Sequence, residues 1–152
     1  MKLFLIRHAA ALDLDDDDLR PLSPQGRRQS VNLGRALAER GDFHPPQLWH
    51  SPLLRAVETA ELLLEGLGRR IPLTQIQGIR PEEDPGMILP RLREATADLA
   101  IVGHNPYLGY LGGMLVDPRG EPLLFQKACG YVLEPAGGQR WSIIGQLAPL
   151  SP

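Results

Sequence analysis

Three things are scarce in this 152-residue sequence: cysteine, an excess of either charge, and long apolar runs. The lone Cys129 excludes an internal disulfide and fits a reducing compartment. A formal net charge of −2 offers no bulk attraction to nucleic acid or to a membrane surface, so neither partner is expected. No stretch approaches the roughly 18–20 consecutive apolar residues of a membrane helix. Leu3-Phe4-Leu5-Ile6, after Lys2, is also far too short for the apolar region of a signal peptide. Together these absences point to a cytoplasmic protein.

What is present suits one globular domain over residues 1–152, with 43% hydrophobic residues for its core. Glycine and proline are plentiful, 16 and 15 residues, without a period. They read as sharply punctuated loops because apolar runs return between them. Leu3-Phe4-Leu5-Ile6 and Leu99-Ala100-Ile101-Val102 have the length and continuity of strands buried on both faces. Gln47–His50 and Ile71–Thr74 are weaker strand candidates. Gly130–Leu133 and Arg140–Ile144 form a predicted hairpin around Gly137-Gly138. Helical patterns lie between them: one around Val31–Ala38, one over Leu53–Leu64, then Met87–Leu99 and Tyr107–Leu115. The alternation predicts a three-layer α/β/α sandwich around a mostly parallel central sheet.

Ser23-Pro24, Ser51-Pro52, Asp84-Pro85 and Asn105-Pro106 each set a favoured N-cap residue before a proline at the first helical position. The starts at Ser51 and Asn105 directly follow strand candidates. In an open parallel sheet such strand ends share one edge, and helix N-termini there suit an anion. Arg7-His8 leaves the first strand at that edge, and His104 leaves the Leu99–Val102 strand. Arg55, four residues after Ser51, leans back toward the junction if the helix begins there, and its planar fork matches phosphate oxygens. On position alone Arg55 fits equally an exposed ion pair with Glu58 or Glu61. The convergence of three strand ends on one edge favours a site.

Other features carry less. Asp13–Asp18 lacks the glycine and glutamate that a calcium loop opening at Asp13 requires, since Asp18 and Pro24 stand in those places, so it reads as a solvated acidic loop. His44 and His50 lack metal-pair spacing and read as structural; Trp49 and Trp141 read as packing.

Leu5-Ile6-Arg7-His8-Ala9, Arg20-Pro21-Leu22-Ser23-Pro24-Gln25-Gly26, Ser51-Pro52-Leu53-Leu54-Arg55-Ala56-Val57-Glu58-Thr59-Ala60 and Val102-Gly103-His104-Asn105-Pro106 occur in that order over nearly the whole chain. This ordered set resembles the histidine phosphatase, or phosphoglycerate mutase-like, superfamily, and more narrowly its SixA-type phosphohistidine phosphatase branch. The resemblance implies that His8 takes the phosphoryl group and water then cleaves the phosphohistidine. It gives Arg7, Arg55 and His104 the phosphoryl oxygens, and adds Arg20 and Asn105 as substrate contacts. It also implies a tautomer of His8 fixed by a hydrogen bond from its other nitrogen, with a backbone carbonyl as acceptor. No cofactor or metal is implied.

Two departures stand out. Ala9 replaces the glycine common after Arg-His, and Arg80-Pro81-Glu82-Glu83-Asp84-Pro85 only loosely matches the region from which larger members supply a carboxylic general acid. Glu82 or Glu83 is the candidate acid, with Asp84 assigned to capping the next helix. A weak or missing acid favours a leaving group that departs readily, so a phosphorylated protein carrying phosphohistidine is the expected substrate. A small phosphorylated metabolite is the alternative. A mutase is disfavoured by the short chain, and a non-catalytic phosphate- or phosphoprotein-binding module shares the same motifs.

Overall fold

The computed structural model describes residues 1–151. Its centre is β1 (Leu3–Arg7), paired in parallel with β4 (Leu99–Gly103) so that Ile6 lies opposite Val102 and Arg7 opposite Gly103. On the far side of β4 come β2 (Leu48–His50) and β3 (Leu73–Gln75), both parallel to it. The hairpin of β5 (Gly130–Pro135) and β6 (Trp141–Leu147) closes the other side, with β5 antiparallel to β1. The strand order is β3-β2-β4-β1-β5-β6.

Both continuous apolar runs are buried on two faces, as their lack of alternation requires. Leu3, Leu5, Leu99 and Ile101 face one core, with α3 (Leu89–Glu94) and α4 (Tyr107–Val116) over them. Phe4, Ile6, Ala100 and Val102 face the other, under α1 (Pro24–Arg40) and α2 (Leu54–Leu67). The result is the expected three-layer sandwich. No helix among the described residues is long and apolar enough to cross a membrane.

Two of the four predicted caps hold. The Ser23 hydroxyl accepts from Gly26 N–H at the start of α1, and the Asp84 carboxylate accepts from Gly86 N–H over a 3-10 turn at Pro85–Ile88. The other two are corrected. Helix α2 opens at Leu54 and α4 at Tyr107, and neither N-cap residue, Leu53 or Pro106, makes a side-chain cap bond. Ser51 and Asn105 spend their side chains on the site instead. The predicted helix over Met87–Leu99 is also shorter. Ala95 turns to extended geometry after α3, and Leu99 already belongs to β4, where pairing with β1 outweighs local helical preference.

Candidate active site

Because β1, β4 and β2 are parallel neighbours, their carboxyl ends open at one edge, and the chain leaves each there with a polar residue. His8 N–H donates to Gly103 O at 2.9 Å, which carries the β1–β4 pairing one residue past the strand. Its imidazole is buried, 6% exposed, and Nδ1 lies 2.7 Å from Ala9 O. A carbonyl only accepts, so Nδ1 carries the proton and Nε2 the lone pair. Burial lowers the His8 pKa to about 4; the Ala9 carbonyl opposes the shift, while the positive charges of Arg55, Arg7 and Arg20 add to it. At neutral pH His8 is an uncharged base.

Ala9 is tolerated because its backbone does not need glycine's freedom. Ala128 is the one non-glycine residue of positive φ among the described residues. Ala9 N–H donates to Thr59 Oγ1 at 3.0 Å, while that hydroxyl donates to Arg55 O at 2.7 Å, tying the strand end to the first turn of α2.

His104, 1% exposed, packs beside His8 with ring centroids 5.1 Å apart. Ser51 Oγ lies 2.5 Å from its Nε2 and also accepts from Leu53 N–H at 3.2 Å. Burial first, then the charges of His8 and Arg55, lower the His104 pKa to about 3. Arg7 donates from Nη1 to Phe125 O at 3.0 Å. Arg55 is 4% exposed; as the second residue of α2 it sits nearer the helix start than its distance from Ser51 suggests. Arg7 Nε, Arg55 Nε and His104 Nδ1 are buried without a hydrogen-bond partner. Such atoms are costly to leave unmet, and nitrogens of this kind gathered beside an imidazole lone pair form a ready receptor for a tetrahedral oxyanion.

The remaining candidates fall around this group. Arg20 borders it but spends its donors on Leu12 O, Asp17 Oδ1 and Asp13 Oδ1, at 2.9, 3.3 and 3.4 Å. Asn105 Nδ2 donates to Phe125 O at 3.0 Å, the carbonyl that also receives Arg7, so Asn105 braces the Arg7 anchor. Glu82 and Glu83 stay on the turn after Ile79. Glu83 Oε1 accepts from Arg80 N–H at 3.3 Å and Glu82 is exposed.

Three participants escape sequence reasoning. Ser51 resembles a cap by its Ser-Pro pair, and its hydroxyl serves His104. Phe125 belongs to a loop whose only hint is its return to β5. Asp17 looks like one of several solvated carboxylates, yet its main-chain oxygen accepts from Arg55 Nη1 at 2.8 Å and its Oδ2 from Nη2 at 3.3 Å. The acidic loop is therefore fastened to the site, and Asp18 secures it further through a two-bond ion pair with Arg80 at 3.0 and 3.1 Å. Among the described residues no group of three or more His, Cys, Asp or Glu is disposed to hold a metal ion. His50 bonds Ser51 O, His44 bonds Gly41 O, and Trp49 lies under the Arg91 guanidinium at 4.3 Å.

The family model of the histidine phosphatase superfamily (branch 1) matches residues 3–82, a segment holding Arg7, His8, Arg20, Ser51 and Arg55. No curated protein sequence matches the chain. Among solved structures, the protein histidine phosphatase SixA complexed with tungstate superposes with a TM-score of 0.85 at 25% identity, over 98% of this chain and 97% of that one. The alpha-ribazole phosphatase from Shigella flexneri superposes at 0.77 and 17% identity, over 99% and 96%. A mycobacterial glucosyl-3-phosphoglycerate phosphatase does so at 0.69 and 17%, over 95% and 97%. The last two show a shared fold alone. With the family match spanning more than half of its length, the chain belongs to the histidine phosphatase superfamily, branch 1.

Proposed function

We propose that this chain hydrolyses protein-borne phosphohistidine, taking the phosphoryl group onto Nε2 of His8 while Arg7, Arg55 and His104 hold its oxygens. The observation that carries the reading is the set of three unpartnered buried nitrogens, Arg7 Nε, Arg55 Nε and His104 Nδ1, around a histidine whose Nδ1 is tied to Ala9 O. Nε2 bonds to phosphorus as the P–N bond to the substrate's imidazole breaks, and that nitrogen leaves with the electron pair and is protonated from solvent. Charge developing on the phosphoryl oxygens meets preset donors. The Nδ1–H bond to Ala9 O steadies the positive charge that His8 gains. Water then attacks phosphorus, the P–Nε2 pair returns to His8, the water's proton goes to solvent and orthophosphate departs.

Likeness to the SixA structure supports the phosphohistidine substrate. Glu82 and Glu83 receive no part in the first step.

Turnover of a phosphohistidine peptide and of p-nitrophenyl phosphate, by wild type and His8→Ala, tests the reading. The peptide is expected to be the better substrate and His8→Ala to be inactive on both. A rapid quench should trap an acid-labile, alkali-stable phosphoenzyme in the wild type alone. Equal turnover by the two proteins rejects the nucleophile. Ester hydrolysis without peptide hydrolysis rejects the substrate.

A further inference from the structure

Arg55 is nearly inaccessible, yet one carboxylate reaches it, from a residue whose own side chain is 60% exposed. Asp17 opens a single 3-10 turn, Asp17–Leu19, capped by Asp16. Its Oδ2 meets Arg55 Nη2 and its Oδ1 meets Arg20 Nη1, both at 3.3 Å. Two oxygens of one anion thus span the Nη groups of two guanidinium side chains, one of them Arg55, whose Nε is left buried and unpartnered. The short contact, 2.8 Å from Arg55 Nη1, goes to the main-chain oxygen and needs no charge. The turn is held separately, by Arg20 Nε on Leu12 O and by the Asp18–Arg80 pair. The carboxylate can therefore swing away while Arg55 and the turn stay in place.

We propose that Asp17 sets the anion affinity of this site as an internal competitor: its carboxylate occupies Arg55 and Arg20 in the free protein, yields to the substrate's phosphoryl group, and returns to expel orthophosphate. This rests on the reading of Arg55 as a phosphoryl-binding group. A pocket with three arginines and two neutral histidines would otherwise hold its own product too well. A fixed negative charge a few ångströms from the bound dianion weakens the complex at equilibrium whether or not the side chain has moved.

Product inhibition by orthophosphate tests this, with Asp17→Asn as the variant. Asparagine keeps the shape and an accepting oxygen, so the charge alone is lost. The inhibition constant should fall about tenfold, as expected for removing one like-charge repulsion near a surface. The effect should shrink as ionic strength rises. Asp15→Asn, which removes an equal charge from an exposed residue of the same loop, should change it less than about twofold. An unchanged or higher inhibition constant in Asp17→Asn overturns the proposal, as does an equal fall in Asp15→Asn. If His8-dependent turnover persists in either case, the proposed function stands and only the competitor falls. Failure of orthophosphate to bind any of the three proteins, read by calorimetry, overturns the phosphoryl-binding role of Arg55 and the competitor with it.

Discussion

Replacing Ser51 with alanine isolates the hydrogen bond that orders His104. The Ser51 hydroxyl is fully buried and already accepts from Leu53 N–H, so its own hydrogen is left for His104 Nε2, 2.5 Å away. A buried hydroxyl that only accepted would leave that hydrogen unmet. The His104 proton therefore sits on Nδ1, the nitrogen without a partner, and is available to a phosphoryl oxygen. In Ser51→Ala nothing selects that tautomer, and the other one turns a lone pair toward an anion. The loss is one hydrogen bond to a charged group, about 1.5–3 kcal/mol. If it is felt fully in the transition state, kcat/KM falls roughly 10- to 150-fold. The assay is phosphohistidine-peptide turnover beside nitrogen-15 NMR of the imidazoles, which reads the tautomer directly. Wild-type His104 protonated on Nε2, or a kcat/KM within twofold of wild type in Ser51→Ala, would refute the reasoning.

Burial of His8 and the close approach of α1 to α2 lead to two further outcomes. His8 should titrate near its lowered value of about 4, not near 6.5, in a proton NMR titration. Because the unfolded chain takes up that proton first, stability is whole above about pH 6.5 and is lost as pH falls toward 4. The loss is on the order of 3 kcal/mol for His8 alone, and a thermal midpoint flat across that range would contradict it. Gly34→Ala should lower the midpoint sharply, because a Cβ there would fall 2.0 Å from Leu63 O of the opposing helix α2. Backbone cannot yield as a flexible side chain can, so a cost of about 3 kcal/mol or more is expected by thermal denaturation.

The readable parts of this chain are those whose physics is local. Leu3–Ile6 and Leu99–Val102 announce central strands because residues buried on both faces cannot alternate, and Arg7, His8 and His104 follow from where those strands end. Arg55 is legible only in part, because its distance from Ser51-Pro52 fits an exposed ion pair equally and the helix itself opens at Leu54. Hidden are the residues whose partners lie far along the chain. Asp17 and Arg55 are separated by 38 positions, and nothing in a run of aspartates says which one meets an arginine. Ser51 and Asn105 look like caps because a cap and a side-chain anchor need the same short polar group. Only tertiary placement separates the two uses, through His104 in one case and Phe125 O in the other.

That placement also bears on the leaving group. Asp17 is the carboxylate whose charge is felt by His104, raising its pKa against the other influences. Its hydrogen bonds with Arg20 and Arg55 and their positive charges outweigh desolvation, holding its own pKa below the ordinary aspartate value. An acid that is ionised throughout the neutral range has no proton to give, so Asp17 is unsuited to assist an alcohol's departure. Glu83 is engaged with the Arg80 backbone. A site with strong oxyanion donors and an ionised carboxylate discriminates by leaving group: an ester must expel an alkoxide unaided, whereas an imidazole leaves as a weak base. On the proposed reading, the charge state of Asp17 would join two separate properties, a bias toward phosphoramidates over esters and easy loss of orthophosphate.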